Sequence, residues 1–177
     1  MALSMTEMQL DRDSINGTPK DRGADPTVDL GALFESHAPA MYRTILAYTG
    51  GRADVAEDAV GEAFARATVR SAELRDPTAW LYRVAFNVAN DELRKERRAR
   101  GTAGESVQQP PELSGVLEAL KRISPRERAV MALFYVMDLP VSDIAARLGV
   151  ASATVRVHLM RGRRHLAALL RDEEVTD

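Results

Sequence analysis

The chain has 177 residues, a formal net charge of −2 at pH 7 and no cysteine. That length allows one medium domain or two small ones, and the lack of cysteine excludes disulfides and thiolate zinc sites. Its three histidines are scattered and form no metal-binding pattern. No apolar run approaches the length of a membrane span, and the polar N-terminus is not a signal peptide. We therefore expect a soluble, cytoplasmic protein with no cofactor, no metal and no membrane insertion.

The charges are segregated along the chain. Residues 1–29 carry six acids against three bases, and the last six residues carry four acids and no base. The basic side chains lie between these ends, in one cluster from Arg94 to Arg100 and in another near the C-terminus. Because local fields govern the encounter with a polyanion, this pattern is compatible with nucleic-acid binding despite the negative total.

The N-terminal half predicts helices after a polar extension. Residues 1–28 lack apolar periodicity, and we predict that they are disordered. From residue 29 the signals are helical, with Pro39 expected to break or kink the first run. A second helix is predicted from Asp54 to Arg70. Its front carries carboxylates, which the positive end of a helix dipole favours: Asp54, Glu57, Asp58 and Glu62.

A third helix, from Ala79 to about Arg98, carries a narrow polar stripe between two apolar flanks. Asn and Arg recur there at helical spacing, so their side chains would offer base-edge hydrogen bonds and phosphate contacts along one line. The alternative is a buried helix with one hydrated edge, and periodicity alone does not decide between the two. We interpret Trp80 as core. The stripe consists of Arg83, Asn87, Asn90, Arg94 and Arg97 or Arg98.

A second helical domain is predicted at residues 113–171. The linker before it, residues 99–112, is rich in Gly, Thr, Ser, Gln and Pro, and an acidic tail follows at 172–177. Ser124-Pro125 is expected to cap and start one helix of this domain. The sequence thus predicts an all-α protein of two small helical domains joined by a flexible linker.

The stretch from Pro140 to Leu170 predicts a helix-turn-helix. Apolar residues recur at helical spacing before Gly149, which favours the left-handed conformation that ends a helix. Ser152 is then expected to cap a second helix. That helix continues one inward stripe of small and apolar residues: Val155, Leu159, Gly162, Leu166 and Leu169 or Leu170.

The opposite face of this second helix is basic. From Ile144 to Arg171 the chain holds six arginines and no acid. A purely basic face on such a helix fits the major groove, with Arg available for phosphates and guanine edges. The alternative is a solvated hairpin in a bundle, but solvated faces normally mix both signs. We find no catalytic constellation and do not expect an enzyme.

At this point the chain resembles an extracytoplasmic-function (ECF) sigma factor of bacterial RNA polymerase. The stretch from Ala53 to Phe64 is similar to region 2.2 of that family, and Ala79 to Arg94 is similar to regions 2.3 and 2.4. Ile123 to Arg128 and the helix-turn-helix are similar to region 4. The family usually has Gln where Gly61 stands, and many members have Arg where Phe86 stands.

The resemblance implies a role for each candidate residue. The acidic front would dock on the β′ clamp helices of core RNA polymerase, and region 4 would touch the β flap. The polar stripe would recognise the −10 element of promoter DNA and hold it open. Arg156, Val157, Met160 and Arg161 would recognise −35 bases, with Thr154, His158 and Arg164 as phosphate contacts. Many members of the family are also held inactive by an anti-sigma factor.

Two other classes of protein fit parts of the sequence. Pro125 to Arg128 and Thr154 to His158 also resemble the DNA-binding domain of LuxR-type transcription activators. A response regulator of that kind would show alternating strands and helices in its N-terminal half, which here predicts helices throughout. A protein-interaction adaptor would not need two separate basic surfaces and a helix-turn-helix.

Overall fold

The computed structural model describes residues 29–100 and 111–174, and all regular secondary structure within these ranges is helical. An N-terminal region holds the first three α-helices, and a C-terminal region holds the next four. The prediction of an all-α protein with two helical regions is confirmed. The helices are α1 (Leu30–Tyr48), α2 (Ala53–Arg70), a 3₁₀ turn (Ser71–Glu73), α3 (Pro77–Arg100), α4 (Pro111–Arg122), α5 (Pro125–Tyr135), α6 (Val141–Leu148) and α7 (Ser152–Glu174).

Several predicted segments lie outside the described residues. These are the extension at 1–28, the central part of the linker at 101–110 and the end of the acidic tail at 175–177. At both edges of the predicted linker the chain is helical, because α3 continues through Arg100 and α4 begins at Pro111. Within the described ranges, no helix is long and apolar enough to cross a membrane.

The first helix is continuous through Pro39, so of the break or kink expected there the break does not occur. Asp29 caps α1 by accepting a hydrogen bond from the Ala32 N–H at 3.0 Å. Proline at position 39 removes the hydrogen bond to the carbonyl of Glu35, four residues earlier. Both Glu35 and Pro39 are exposed, so water can satisfy that carbonyl and the helix persists.

The N-terminal region is built around α3. The second helix packs its small apolar face on α3, and α1 contacts both helices. Phe34 and Phe64 form an edge-to-face pair between α1 and α2, with ring centroids 5.0 Å apart. Trp80 is partly buried against the core, which confirms its interpretation as a core residue.

The C-terminal region positions α7 through two turns. Ser124 and Glu127 form a reciprocal capping box at the start of α5, as the Ser124-Pro125 pattern predicted. Gly149 ends α6 in the left-handed conformation, with a φ of 67°. The expectation for Ser152 was wrong, because α7 begins at Ser152 itself and Ala151 occupies the capping position.

Candidate nucleic-acid interface

The seventh helix presents the exposed face that its sequence predicted. Val155 and Leu159 are buried and fix the rotation of α7 against the rest of its region. Val157 and Met160 are consequently 40% and 62% exposed, an unusual position for large apolar side chains. Arginines surround these two residues on the same exposed surface, which we call the α7 face: Arg156, Arg161 and Arg164.

Two further candidates on α7 are turned partly inward. Thr154 and His158 are half-buried. The Nδ1 atom of His158 is buried and makes no hydrogen bond within the described residues. Burial lowers the pKa of His158, and the nearby Arg126 and Arg161 lower it further. His158 is therefore neutral at physiological pH in this conformation, and does not offer a phosphate the charge that an arginine would.

The polar stripe of α3 divides into a covered half and an exposed half. Arg83, Asn87 and Asn90 are partly buried, whereas Arg94 and Arg98 are exposed near the end of the helix. Tyr48 of α1 donates a hydrogen bond to Oδ1 of Asn90 at 3.3 Å. This bond fixes the amide so that its NH₂ group remains available as a donor.

The two predicted DNA-contacting surfaces meet at one cavity between the N-terminal and C-terminal regions. The cavity has a volume of about 90 Å³. Asn87 and Asn90 line it from α3, while Thr154 and His158 line it from α7. Its remaining walls are formed by Tyr48, Phe86, Pro125, Arg126, Ala129, Val130, Leu148 and Val150. We call this space the inter-region cavity.

Aromatic rings and arginines join the regions beside this cavity. The Arg128 guanidinium of α5 lies over the Tyr48 ring of α1, 5.2 Å from its centroid. The Arg147 guanidinium of α6 lies 4.9 Å from the centroid of Tyr82 in α3. The Tyr82 hydroxyl also donates a hydrogen bond to the Met137 sulfur at 2.8 Å. Burial raises the pKa values of Tyr48 and Tyr82 to about 12, so both phenols stay protonated at physiological pH.

The acidic front of α2 is exposed, but its four members differ in their partners. Glu57 and Asp58 point to solvent, and Glu62 forms an ion pair with Arg66 at 2.7 Å. Asp54 instead binds Arg52, whose hydrogen bonds lower the pKa of the Asp54 carboxyl. Arg52 reaches Glu96 of α3 as well, at 2.6 Å. Asp54 therefore belongs to a bridge between α2 and α3, a contact that sequence spacing did not reveal.

The two departures from the family pattern have different surroundings. Gly61 is exposed, and a side chain added there would meet nothing within 4 Å. Phe86 is only 3% exposed and packs edge-to-face against Tyr48, with ring centroids 5.0 Å apart. Position 61 is thus open to a larger residue, whereas position 86 belongs to the core and to the wall of the inter-region cavity.

Comparison with known proteins assigns both regions to known protein families. The family profile Sigma-70 region 2 matches residues 33–99, and the profile Sigma-70, region 4 matches residues 114–166. The ECF RNA polymerase sigma factor SigL of Mycobacterium tuberculosis is 33% identical over 162 residues, which are 82% of this chain and 90% of SigL. The chain belongs to the ECF sigma factors.

Other similar proteins agree with this assignment. The ECF RNA polymerase sigma factor BldN of Streptomyces coelicolor is 30% identical over 161 residues, and the match covers 81% of this chain and 61% of BldN. The structure of CnrH in complex with the cytosolic domain of CnrY matches with a TM-score of 0.63 and 26% identity, covering 81% of this chain and 88% of CnrH. Sigma factor RpoE of Bartonella quintana shares the fold. Its structure matches with a TM-score of 0.67 and 24% identity, covering 81% of this chain and 97% of RpoE.

Membership decides between the functions considered for the sequence. This ECF sigma factor is a transcription initiation factor that directs RNA polymerase to promoters, and its family is one of non-catalytic transcription factors. The comparisons give no support to a LuxR-type activator. The described residues of the N-terminal region also contain no strand, which the receiver domain of a response regulator would require.

Proposed function

We propose that this ECF sigma factor recognises the −35 element with the α7 face and the −10 element with the α3 stripe. The observation that carries the proposal is the α7 face, where exposed Val157 and Met160 stand among arginines without an acid. We assign these functions to domains at residues 29–98 and 113–171. The chain itself contributes binding and positioning, and the polymerase supplies the chemistry.

On α7, each residue type has a distinct role in the major groove. Arg156 and Arg161 can donate two hydrogen bonds to a guanine edge, while Val157 and Met160 offer apolar contact to thymine methyl groups. Arg164 lies further along the exposed surface and is suited to a phosphate. Thr154 and His158 remain weaker candidates for phosphate contacts, since both are half-buried in the described conformation.

On α3, the asparagines recognise bases and the arginines hold the backbone. An amide both donates and accepts, so Asn87 and Asn90 can bond the edges of unpaired bases in the −10 element. Arg94 and Arg98, exposed near the end of the helix, are placed for phosphates. Arg83 is partly buried beside α6, where its Nη1 atom would lie 3.6 Å from a Cβ at Gly149, and it is a weaker candidate for a DNA contact.

For core polymerase, we propose that Glu57, Asp58 and Glu62 form the contact with the β′ clamp helices. Asp54 serves this surface indirectly, because its carboxylate is bound by Arg52. The C-terminal region would contact the β flap. Since polymerase and chromosome are cytoplasmic, we place the protein's action there.

An anti-sigma factor is a further proposed partner. CnrH, which shares this fold at 26% identity, was solved in complex with the cytosolic domain of CnrY. Many ECF sigma factors are held inactive by a protein of this kind, and the same two regions are present here.

The test is reconstitution with core RNA polymerase. Promoters are selected from random DNA with the holoenzyme, and transcription from a selected promoter is then measured for each variant. Asp58→Lys/Glu62→Lys should weaken association with core, while circular dichroism stays unchanged because exposed acids contribute little to stability. Glu35→Lys/Glu73→Lys, a matched pair of exposed acids outside the α2 front, should bind core normally. If the Asp58→Lys/Glu62→Lys variant binds core normally, those acids do not contact the polymerase and only interact favourably with the helix dipole.

A further inference from the structure

The inter-region cavity has the composition of a site for a small molecule. Most of its wall is apolar, with the rings of Tyr48 and Phe86 among the lining side chains, and a few polar groups converge on it. Ligand sites in proteins are typically concave and apolar, with a small number of polar groups that orient the ligand. The described residues that line the cavity include no acid. The cavity therefore suits an aromatic ligand that is neutral or anionic.

We infer that the inter-region cavity binds a pyrimidine nucleotide, with the base beside the asparagines of α3 and the phosphate on arginines of α5 and α7. The site goes beyond the proposed function and does not depend on it. Asn87 and Asn90 are also the residues assigned to the −10 element, so a bound nucleotide would withhold them from promoter DNA. Only this consequence rests on the proposed function.

The size of the cavity limits the ligand to one ring. Its volume of about 90 Å³ corresponds to about three water molecules at about 30 Å³ each. A single pyrimidine ring fills a space of this size, whereas the fused rings of a purine exceed it. The cavity is open to solvent on one side, so a ribose and a phosphate attached to the ring can remain outside.

Two amides of α3 supply hydrogen bonds that match the edge of a pyrimidine base. Tyr48 donates to Oδ1 of Asn90 at 3.3 Å, which leaves the NH₂ group of Asn90 to donate to an oxygen or nitrogen of the ring. Asn87 lines the same wall, and its amide can both donate and accept. Because a base edge carries donors as well as acceptors, this pair of amides suits a base better than a hydrocarbon ring.

The wall formed by α7 adds a polar group that lacks a partner. Nδ1 of His158 is buried and makes no hydrogen bond within the described residues, although a buried polar atom normally has one. The neutral imidazole offers one donor and one acceptor, and the hydroxyl of Thr154 offers both on the same wall. Both walls of the cavity thus present neutral hydrogen-bonding groups.

The charge near this wall favours an anion. Arg126 is exposed and lines the cavity, and both Arg126 and Arg161 are near enough to His158 to lower its pKa. The carboxylate that acts on His158, that of Glu127, is engaged in the capping box of α5. The same helix begins at Pro125, another lining residue, so the positive end of its dipole lies beside the cavity. A phosphate attached to the bound ring would meet two arginines and a helix N-terminus.

Calorimetric titration of the free, full-length chain tests the class of ligand. Uridine 5′-monophosphate (UMP) and cytidine 5′-monophosphate (CMP) should bind. Ribose 5-phosphate, which lacks a base, and adenosine 5′-monophosphate, whose base is larger, should bind about tenfold more weakly, because neither buries a ring in the cavity. Absence of binding by UMP and CMP at millimolar concentration would overturn the inference. Equal affinity for UMP and ribose 5-phosphate would do so as well, since surface arginines alone would then hold the anion.

Two variants separate the phosphate contact from the base contact. Arg126→Ala should weaken UMP binding about tenfold and leave uridine binding unchanged, because uridine has no phosphate. Asn87→Ala should weaken both ligands about fivefold. Arg163→Ala is the matched control, since Arg163 is an exposed arginine of α7 that does not line the cavity, and it should bind UMP as the parent does. Equal losses in Arg126→Ala and Arg163→Ala would show that net charge, and no defined site, attracts the nucleotide.

Filling the cavity tests its role directly. Ala129 lines the wall from α5 and is 8% exposed, so a leucine at this position would occupy space that the ring needs. Ala129→Leu should abolish UMP binding while its circular dichroism matches that of the parent. If the folded variant binds UMP as tightly as the parent, the nucleotide does not enter the cavity and the inference is wrong. Should Ala129→Leu misfold, the exposed substitution Arg126→Ala decides the outcome.

The sequence also allows the base to be located by NMR. The chain has three asparagines, Asn16, Asn87 and Asn90, so labelling asparagine alone with nitrogen-15 gives three side-chain amides to follow. Saturation with UMP should shift the signals of Asn87 and Asn90, which Asn87→Ala identifies, and Asn16 serves as the reference. Unshifted signals of Asn87 and Asn90 in a sample that binds UMP by calorimetry would overturn the placement of the base. No polymerase or promoter enters these measurements, so failure of the holoenzyme to select a promoter would defeat the proposed function without changing their result.

Discussion

The third and seventh helices carry similar polar chemistry but expose it differently. On α7 the stripe lies opposite a single buried face, so Arg161 and Met160 stand in solvent. On α3 apolar residues occupy both flanks of the polar stripe. A region that packs on these flanks therefore also covers the narrow stripe between them. Asn87 and Asn90 consequently lie under the C-terminal region. The comparison shows that the width of the apolar arc around a helix, as well as its charge, determines whether a DNA-contacting surface is available.

The largest effect should come from displacing α7 as a whole. A side chain at Gly162 would place its Cβ 2.5 Å from the Met131 sulfur and 3.4 Å from the Glu127 Cβ. Gly162→Leu should therefore cost about 3 kcal/mol of unfolding free energy, the upper end for an overpacked core. Urea denaturation measures this cost, and Gly162→Ala should lose clearly less because the flexible Met131 can give way. If Gly162→Leu is as stable as the parent, α7 does not pack as closely as described.

Within the α7 face, replacing two different arginines should change promoter binding in two different ways. Arg161→Ala should cost about 1–3 kcal/mol of promoter affinity and relax the preference at one −35 position, as loss of a guanine contact would. Arg164→Ala should weaken binding to all sequences alike and reduce the salt slope by about one. Affinities of holoenzyme for a panel of −35 variants at several salt concentrations measure both. Identical behaviour of the two variants would remove the distinction.

On α3, the effect should be smaller and confined to opened DNA. Asn87→Ala removes hydrogen bonds worth about 0.5–1.5 kcal/mol and should leave closed-complex binding of holoenzyme nearly unchanged. Permanganate reactivity of unpaired thymines should fall, and a promoter pre-melted across the −10 element should bind more weakly. If Asn87→Ala opens promoters as the parent does and keeps its −10 preferences, the stripe is only the hydrated edge of the helix.

The smallest effect should appear at Gly61 of α2, because an added Cβ there would meet nothing within 4 Å. Gly61 is exposed inside the helix, so Gly61→Ala should raise the unfolding free energy by up to about 1 kcal/mol through helix propensity alone. Thermal unfolding measures the gain. Gly61→Gln should be tolerated equally, and any change in its affinity for core polymerase beyond that of Gly61→Ala would then report a contact at this position. A loss of stability in Gly61→Ala would contradict the open surroundings of the site.

The sequence was enough to predict the helices, but it did not predict how the two regions pack against each other. Periodicity predicted the inward stripe of α7 correctly, because Val155 and Leu159 are apolar at helical spacing. It could not identify Arg128 as buried, or the Nε and Nη1 atoms of Arg147 as covered, because nothing near either arginine in the sequence indicates that an aromatic ring from the other region lies against it. Their partners, Tyr48 and Tyr82, lie far away in the chain and are brought near only by tertiary structure.

Local chemistry also misled at single positions. Proline usually ends a helix, yet Pro39 is tolerated because the carbonyl it deprives of a partner lies at the surface. Asp54 looked like one more exposed acid, yet Arg52 binds it, and Arg52 carries no sequence signal of that role. Such outcomes depend on which neighbouring side chain or solvent contacts the group. The spacing of residues along one helix carries no information about these contacts.

The contacts of Arg52 limit how this sequence can change in evolution and which of its helices can be exchanged with those of another sigma factor. It ties the start of α2 to Glu96 near the end of α3, so one arginine serves two carboxylates on different helices. Loss of Arg52 in a lineage would remove the arginine that binds both Asp54 and Glu96, which favours joint rather than separate replacement of the three positions. For hybrid sigma factors, the exchangeable unit is therefore the whole of α1 to α3, and grafting α3 alone would sever this bridge.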